Sequence, residues 1–219
     1  MKIDKNSYGA LALVFSIGAL LIWAGFRFIG PKWLSWVIAV LIWAFCTWQL
    51  AFFRVPSRKR MGNGRLVSAV ADGKVVIVDT ACEDEVLRRE CKRVCVYMDF
   101  LDVHANFWPV NGTVTYYKYH PGEHFLAFKP KASDENEHTT TVLRTPGGRE
   151  VLFRQIAGTF ARRIVCYSRP GMEVEAGMQC GIIKFGSRVD IYLPADAQVK
   201  VKEGDKVVAC ESIIAELPE

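Results

Sequence analysis

The stretch Lys184-Phe185-Gly186-Ser187-Arg188-Val189 carries the residue pair with the most distinctive chemical potential in this 219-residue chain. Gly186 offers a carbonyl that no side chain shields, and Ser187 places a hydroxyl beside it, so a tight turn would let the chain attack its own backbone. An N-to-O acyl shift replaces the peptide bond by an ester, and elimination then leaves dehydroalanine, which hydrolyses to ammonia and an N-terminal pyruvoyl group. Gly-Ser pairs also mark ordinary turns, so the pair alone leaves both interpretations open.

Asp102 and His104 could supply the base that such a serine needs. They follow the apolar run that ends at Met98, and a spacing of two residues predicts that both side chains lie on one face of a strand. A histidine beside a carboxylate acts as a base near neutral pH. The alternative is a strand-end histidine that is hydrogen-bonded locally. Together with Ser187, the pair becomes the preferred base and orienting group.

The other basic side chains allow a weaker set of interpretations. Arg162 and Arg163 are adjacent, and we interpret them either as a salt-bridged surface pair or as a clamp for phosphate oxygens, which arginine binds bidentately. His120, His124 and His138 lie in polar or turn-forming surroundings, which predicts solvated loop histidines.

Composition limits the classes of function. The net charge of +5 is scattered, without the basic block or interleaved aromatic residues of nucleic-acid-binding proteins, so a nucleic-acid partner is not expected. The seven cysteines show neither paired spacing nor an accompanying histidine cluster. The sequence therefore predicts no disulfide framework and no zinc or other metal site.

Two uncharged apolar runs, residues 7–26 and 33–53, each reach the roughly 20 residues that a membrane-spanning helix needs. Gly30-Pro31 breaks the helix between them, which predicts a helical membrane hairpin, with a re-entrant or interfacial hairpin as the alternative. Positive charges are in excess at the outer ends of the two runs, so we expect both ends at the cytoplasmic face of the cell (inner) membrane. The predicted organisation is a hairpin over 1–54, a basic linker over 55–64 and a soluble domain over 65–219.

The soluble domain is predicted to be mainly β, a compact antiparallel sandwich or barrel, because short β-rich runs alternate with glycine-containing turns. The runs are Leu66–Val70, Lys74–Val78, Arg93–Met98, Gly112–Tyr119, Thr140–Arg144, Val151–Ala157, Arg163–Tyr167, Gly181–Phe185, Val189–Leu193 and Val207–Ala215. One short helical candidate, Glu83–Glu90, could equally be a charged loop. A faint repeat after Gly171 and Gly204 resembles the hammerhead-like hairpins of lipoyl and biotinyl carrier domains, without the lysine that those carriers modify.

Residues 71–219 resemble the phosphatidylserine decarboxylase family, in its short, prokaryotic (archaeal-type) pyruvoyl-dependent class. Eight blocks in the same order carry the resemblance: 71–76 (ADGKVV), 100–106 (FLDVHAN), 109–112 (PVNG), 119–122 (YHPG), 131–137 (KASDENE), 155–158 (QIAG), 161–166 (ARRIVC) and 185–190 (FGSRVD).

The resemblance implies a proenzyme that cleaves itself between Gly186 and Ser187. The products would be chains 1–186 and 187–219, which stay associated as a heterodimer, and further assembly into homo-oligomers is left open. The smaller chain would begin with a covalent pyruvoyl cofactor derived from Ser187. The implied reaction converts phosphatidylserine into phosphatidylethanolamine and carbon dioxide through a Schiff base, without a metal. The family's Asp-His-Ser maturation residues are assigned here to Asp102, His104 and Ser187. Long-type members have a histidine well downstream of the aspartate, where this chain has none near residues 153–155, and their Leu-Gly-Ser-Thr is Phe-Gly-Ser-Arg here.

Two other functions fit parts of the sequence. A membrane-anchored adaptor would use its hammerhead-like hairpins to bind partners and would keep the chain whole. A membrane serine hydrolase would use Ser187, His104 and Asp102 as a standing triad, and serine-directed acylating reagents would label its intact chain.

Overall fold

The computed structural model describes residues 2–59, 64–125, 132–158, 164–184 and 187–218. The chain divides into two compact units, Met1–Pro56 and Ser57–Glu219.

The first unit is a pair of long apolar helices. Helix α1 spans Tyr8–Phe28, after a 3-10 turn at Lys5–Ser7, and helix α2 spans Lys32–Phe52. The chain reverses between them at Gly30-Pro31, where proline has no N–H to continue a helix. Strand β1 (Lys2–Ile3) pairs antiparallel with strand β2 (Arg54–Val55), so the residues before α1 and after α2 are hydrogen-bonded to each other. The predicted helical hairpin is confirmed.

Close packing holds the two helices together. A side chain on Gly18 would begin 3.0 Å from Ile42 Cγ2 and 3.4 Å from Cys46 Sγ, so glycine permits this approach. Ser35 Oγ donates a hydrogen bond of 2.9 Å to the carbonyl oxygen of Gly25. By length and composition, both helices are long and apolar enough to cross a membrane.

The second unit is built from short antiparallel strands. They are β3 (Leu66–Ser68), β4 (Gly73–Glu83), β5 (Arg89–Met98), β6 (Ala105–Phe107), β7 (Gly112–His120), β8 (His138–Arg144), β9 (Glu150–Ile156), β10 (Ile164–Cys166), β11 (Glu173–Val174), β12 (Gln179–Ile183), β13 (Ser187–Pro194), β14 (Gln198–Val199), β15 (Lys206–Val207) and β16 (Ile213–Glu216), with a one-turn helix α3 (Ala132–Glu135). The predicted mainly β fold is confirmed.

The described residues of this unit form three sheets. An eight-stranded main sheet has the order β11-β7-β8-β9-β13-β5-β4-β15, and two three-stranded sheets have the orders β10-β12-β6 and β14-β16-β3. All pairs of named strands in these sheets are antiparallel.

Strand β13 occupies the middle of the main sheet, between β9 and β5, and all eight of its residues are buried. Val189, Ile191 and Leu193 face the main hydrophobic core, and alternation places Ser187 on the same face. Tyr192, on the opposite face, packs in a second apolar cluster with Cys91 and other residues. The strand is therefore covered on both faces and hydrogen-bonded along both edges.

Two local predictions are decided by the structure. Of the two alternatives for Glu83–Glu90, the charged loop is confirmed and the helix is not formed, because β4 and β5 extend to Glu83 and from Arg89 to make a long hairpin, whose turn amides 85–87 bond to the Glu83 carboxylate at 2.7–3.4 Å. The single strand predicted over Val207–Ala215 is two short strands, β15 and β16, in different sheets.

Two of the three predicted solvated histidines belong to strands of the main sheet. His138 lies in β8 and is buried, and its ring stacks on that of His120, at the end of β7, with a centroid separation of 4.3 Å. Burial lowers the pKa of both imidazoles. His124 lies outside the strands, half-buried, with Nε2 3.8 Å from the Glu137 carboxylate. The sequence around these histidines is typical of turns, and it gave no sign that β7 pairs with β8, because that pairing joins residues far apart in the chain.

Candidate active site

Ser187 is the first residue of β13 and lies opposite Met98, the last residue of β5. Its side chain is fully buried, and its hydroxyl has no hydrogen-bond partner among the described residues. A buried hydroxyl without a partner is costly and uncommon in native structures, so it calls for an explanation. A serine that serves as a nucleophile, rather than as a structural donor, fits this environment.

The chain changes sheets twice near this point. The chain leaves the main sheet at Met98, passes through 99–104 and enters β6, while the other connection leaves β12 at Ile183 and re-enters the main sheet at Ser187. Ser187 pairs with Met98 at one end of these connections, and the Ile183 N–H donates to the His104 carbonyl oxygen at 3.3 Å at the other. Ile183 and Ser187, the described residues on either side of the change from β12 to β13, therefore lie next to His104 and Met98, which bracket the segment that carries Asp102.

The contact between Asp102 and His104 differs from the predicted one. Both residues lie in the connection after β5, not on one face of a strand, because the strand ends at Met98. His104 is fully buried, and its Nδ1 lies 3.0 Å from the main-chain carbonyl oxygen of Asp102. A carbonyl oxygen can only accept, so in the neutral ring this contact places the proton on Nδ1 and the lone pair on Nε2. This tautomer is the one that offers Nε2 as a base.

The Asp102 carboxylate makes a local turn contact, in which Oδ2 accepts a hydrogen bond of 2.8 Å from the Asp99 N–H. Burial raises the pKa of the Asp102 carboxyl, partly offset by that N–H, and the negative charges of Asp72 and Asp99 raise it further. The side chain is thus in an environment that disfavours its charge, which is common at functional sites.

Asp72 is a second carboxylate at this end of the domain, to which the sequence analysis gave no role. Arg58 pairs with it through both terminal nitrogens, and Asp72 Oδ1 also accepts a hydrogen bond of 2.9 Å from the Ala209 N–H. The next residue, Gly73, lies against the end of β5, since a Cβ there would be 2.1 Å from the Tyr97 carbonyl oxygen. An Asp-Gly pair before a strand reads as an ordinary turn, so no local signal distinguished this carboxylate.

Buried amides cross the space between the main sheet and the sheet that contains β6. Thr139 Oγ1 donates to Gln155 Oε1 at 3.1 Å, and Gln155 Nε2 donates to Asn106 Oδ1 at 2.7 Å. The Asn106 amide then approaches Sδ of Met98, the residue that pairs with Ser187, at 3.8 Å. These side chains form a polar wall near the serine; Asn106 and Gln155 belong to the sequence blocks given above, but the sequence analysis assigned them no role.

The remaining predicted site residues, Gly186, Arg162 and Arg163, lie outside the described residues. The cut at Gly186-Ser187 and the arginine clamp for phosphate therefore stay predictions. Within the described part of the chain, no three His, Cys, Asp or Glu side chains converge as a metal site requires.

Comparison with known proteins identifies relatives over the whole chain. The family model described as phosphatidylserine decarboxylase matches residues 44–215. A phosphatidylserine decarboxylase proenzyme of Porphyromonas gingivalis is 38% identical over 221 aligned residues, covering all of both chains. A protein of the same name from Parabacteroides distasonis is 38% identical over 99% of each chain. Another, from Amoebophilus asiaticus, is 45% identical over 78% of this chain and 76% of the relative.

The polar wall predicts a measurable loss of stability when its central amide is removed. Gln155→Leu keeps the approximate size of the side chain but leaves Thr139 Oγ1 and Asn106 Oδ1 without their contacts, so we expect the free energy of unfolding to fall by about 1–3 kcal/mol. Urea unfolding in detergent measures the change. Gln198→Leu, at an exposed position of β14, is the control and should change stability by less than about 0.5 kcal/mol. Equal effects of the two substitutions would contradict a structural role for the wall.

Proposed function

Because this chain belongs to the phosphatidylserine decarboxylase family, we propose that it converts phosphatidylserine into phosphatidylethanolamine and carbon dioxide, using a pyruvoyl group that it makes from Ser187. Relatives named as proenzymes support processing of the chain. The observation that carries the proposal is the buried Ser187 hydroxyl, which has no hydrogen-bond partner among the described residues. Ser187 is the first residue of β13 and pairs with Met98, the residue before the segment that contains His104.

Self-cleavage requires a base and a defined serine. In the proposed step, His104 Nε2 takes the proton from Ser187 Oγ, and Oγ forms a bond to the carbonyl carbon of Gly186. The bond from that carbon to the Ser187 nitrogen then breaks as the imidazolium returns the proton to that nitrogen. The main-chain carbonyl of Asp102 holds the histidine tautomer that can act in this way. Elimination then releases residue 186 as a carboxylate, and hydrolysis with one water releases ammonia. The residue that remains at position 187 is the pyruvoyl group.

In the decarboxylation itself, the pyruvoyl carbonyl supplies the electron sink for the electron pair that is left when carbon dioxide departs. The protein holds this group in a fixed place. Ser187 is paired with Met98 of β5, the next residue, Arg188, is paired with both β5 and β9, and the Thr139-Gln155-Asn106 wall lies on the core side of this sheet. The burial of Ser187 keeps bulk water away from this position.

The hairpin supports the assignment of a lipid substrate. Two helices long and apolar enough to cross a membrane are joined to the catalytic unit by a few residues after Phe52, so the enzyme would be held at the membrane that contains its substrate. Tethering replaces a search through the volume by a lateral one. In the proposed orientation, the basic outer ends of the hairpin place the catalytic unit on the cytoplasmic side, where Arg162 or Arg163 would bind the phosphodiester.

Removing the serine hydroxyl tests the proposal. Ser187→Ala has no oxygen with which to attack, so we expect one unbroken chain and loss of carbon dioxide release from carboxyl-labelled phosphatidylserine in mixed micelles. Ser212→Ala, which changes the other serine after the cut, should be cleaved and active. A denaturing gel and the release of labelled carbon dioxide give both results. A Ser187→Ala chain that still releases carbon dioxide would contradict the proposed cofactor.

A second set of variants tests the base. His104→Ala should slow self-cleavage by about 10²–10⁴-fold, the usual contribution of a positioned base. Asp102→Asn keeps the main-chain carbonyl that contacts His104, so its cleavage rate should stay within about ten-fold of the wild type. Asp72→Asn should be slower than Asp102→Asn, because its half-buried carboxylate is fixed by Arg58 and by the Ala209 N–H.

Cleavage is followed by gel electrophoresis after synthesis, and thermal unfolding confirms that each variant is folded. If Asp102→Asn is as slow as His104→Ala, the Asp102 carboxylate itself takes part, and the role assigned to its carbonyl is wrong.

A further inference from the structure

A buried ion pair lies directly after Ser187, on the opposite face of β13. Arg188 and Asp190 are both fully buried, with Nε of the arginine 2.7 Å from Oδ1 and Nη2 2.9 Å from Oδ2 of the carboxylate. The neighbouring Arg154 in β9, which is opposite Asp190 in the ladder, donates instead to Glu83 Oε1 at 2.6 Å. Asp190 thus forms an ion pair with the arginine two residues before it on its own strand, with a hydrogen bond between Nη2 and Oδ2.

Ser133 joins this pair from another part of the chain. Its hydroxyl, also fully buried, donates to Asp190 Oδ2 at 2.7 Å and accepts from Arg188 Nη2. Ser133 precedes the proposed cut, whereas Arg188 and Asp190 follow it. In a cleaved molecule, these hydrogen bonds would therefore connect the larger fragment to the first residues of the smaller one.

The cut creates a physical problem that this arrangement can solve. A strand that loses its covalent connection at the first residue tends to fray, because the terminal hydrogen bonds open at little cost. Moving Arg188 outward would leave the Asp190 carboxylate buried without its counter-charge, which is strongly unfavourable. Loss of Ser133 would remove a hydrogen bond to a charged acceptor. The buried charges thus oppose fraying at the residue next to the reactive group.

We propose that Arg188, Asp190 and Ser133 form a clamp that holds the new end of the small fragment in register after self-cleavage, so that residue 187 stays in the active site. They are positioning residues, since they lie on the face of the sheet opposite the Ser187 side chain. This inference rests on the proposed self-cleavage. The clamp matters in the cleaved protein, because in the uncut chain the connection through 184–186 also restrains β13.

Hydrogen exchange measured by mass spectrometry tests the clamp. Four full-length proteins in detergent are compared: wild type, Ser133→Ala, the uncut Ser187→Ala chain and the Ser133→Ala/Ser187→Ala double variant. We expect Ser133→Ala to speed exchange in peptides covering residues 187–191 by about ten-fold in the cleaved protein, and by much less in the uncut background. The kcat per cleaved molecule should fall by a similar factor of about ten while KM for phosphatidylserine changes little.

Ser168→Ala is the matched control. Its hydroxyl is also buried and lies 2.9 Å from Thr141 Oγ1, with both residues before the cut, so exchange at 187–191 should not change. Asp190→Asn is a second test and should have a larger effect than Ser133→Ala, because it leaves the Arg188 charge buried. If Asp190→Asn does not fold, the Ser133→Ala comparison decides.

The outcomes separate the clamp from the proposed function. A cleaved and active Ser133→Ala enzyme with wild-type exchange at 187–191 would overturn the clamp alone. Equal acceleration in the cut and uncut backgrounds would also overturn it, because the contact would then be an ordinary part of the fold. A wild-type chain that remains whole would overturn both the clamp and the proposed self-cleavage.

Discussion

The second unit depends on the burial of one strand, β13, and on its hydrogen bonds to a neighbouring strand along each edge. Strand β13 is hydrogen-bonded to β5 along one edge and to β9 along the other, and all eight of its residues are buried. Its first residue is Ser187. A break in the backbone immediately before that residue would remove one covalent bond but none of these ladders, and the following strands β15 and β16 also pair with β4 and β3 from before the break. The fold can therefore tolerate a cut at this position without losing its core.

The same topology explains how the site is assembled. Ser187 pairs with Met98 at the end of β5, and the Ile183 N–H donates to the His104 carbonyl oxygen, so the described residues on both sides of the change from β12 to β13 contact β5 or the segment that follows it. A main-chain contact orients His104 within this arrangement, because the Asp102 carbonyl oxygen contacts Nδ1. Backbone positions are set by the ladders, so the orientation of the imidazole is tied to the sheets themselves. The polar wall of Thr139, Gln155 and Asn106 adds side chains whose hydrogen bonds leave little freedom next to the serine.

Features that depend on local composition could be predicted from the sequence. The two apolar runs and Gly30-Pro31 predict the helical hairpin correctly, and the β-rich runs predict most strands of the second unit. Features that depend on distant partners could not. His138 is buried because β8 pairs with β7 and β9, and Asp102 and His104 leave the strand because the chain changes sheets after Met98. Asp72 was missed for the same reason, since its partner Arg58 and its neighbour Ala209 are remote in sequence.

The central claim is that the chain breaks before Ser187 and converts that residue into a pyruvoyl group. Intact-mass measurement of the purified wild-type protein under denaturing conditions tests it most directly. The account predicts two polypeptides, of which the smaller corresponds to residues 187–219 and is lighter by one ammonia than the same fragment beginning with serine. An active protein with the mass of the unbroken 219-residue chain, or a small fragment that begins with unmodified serine, would contradict it.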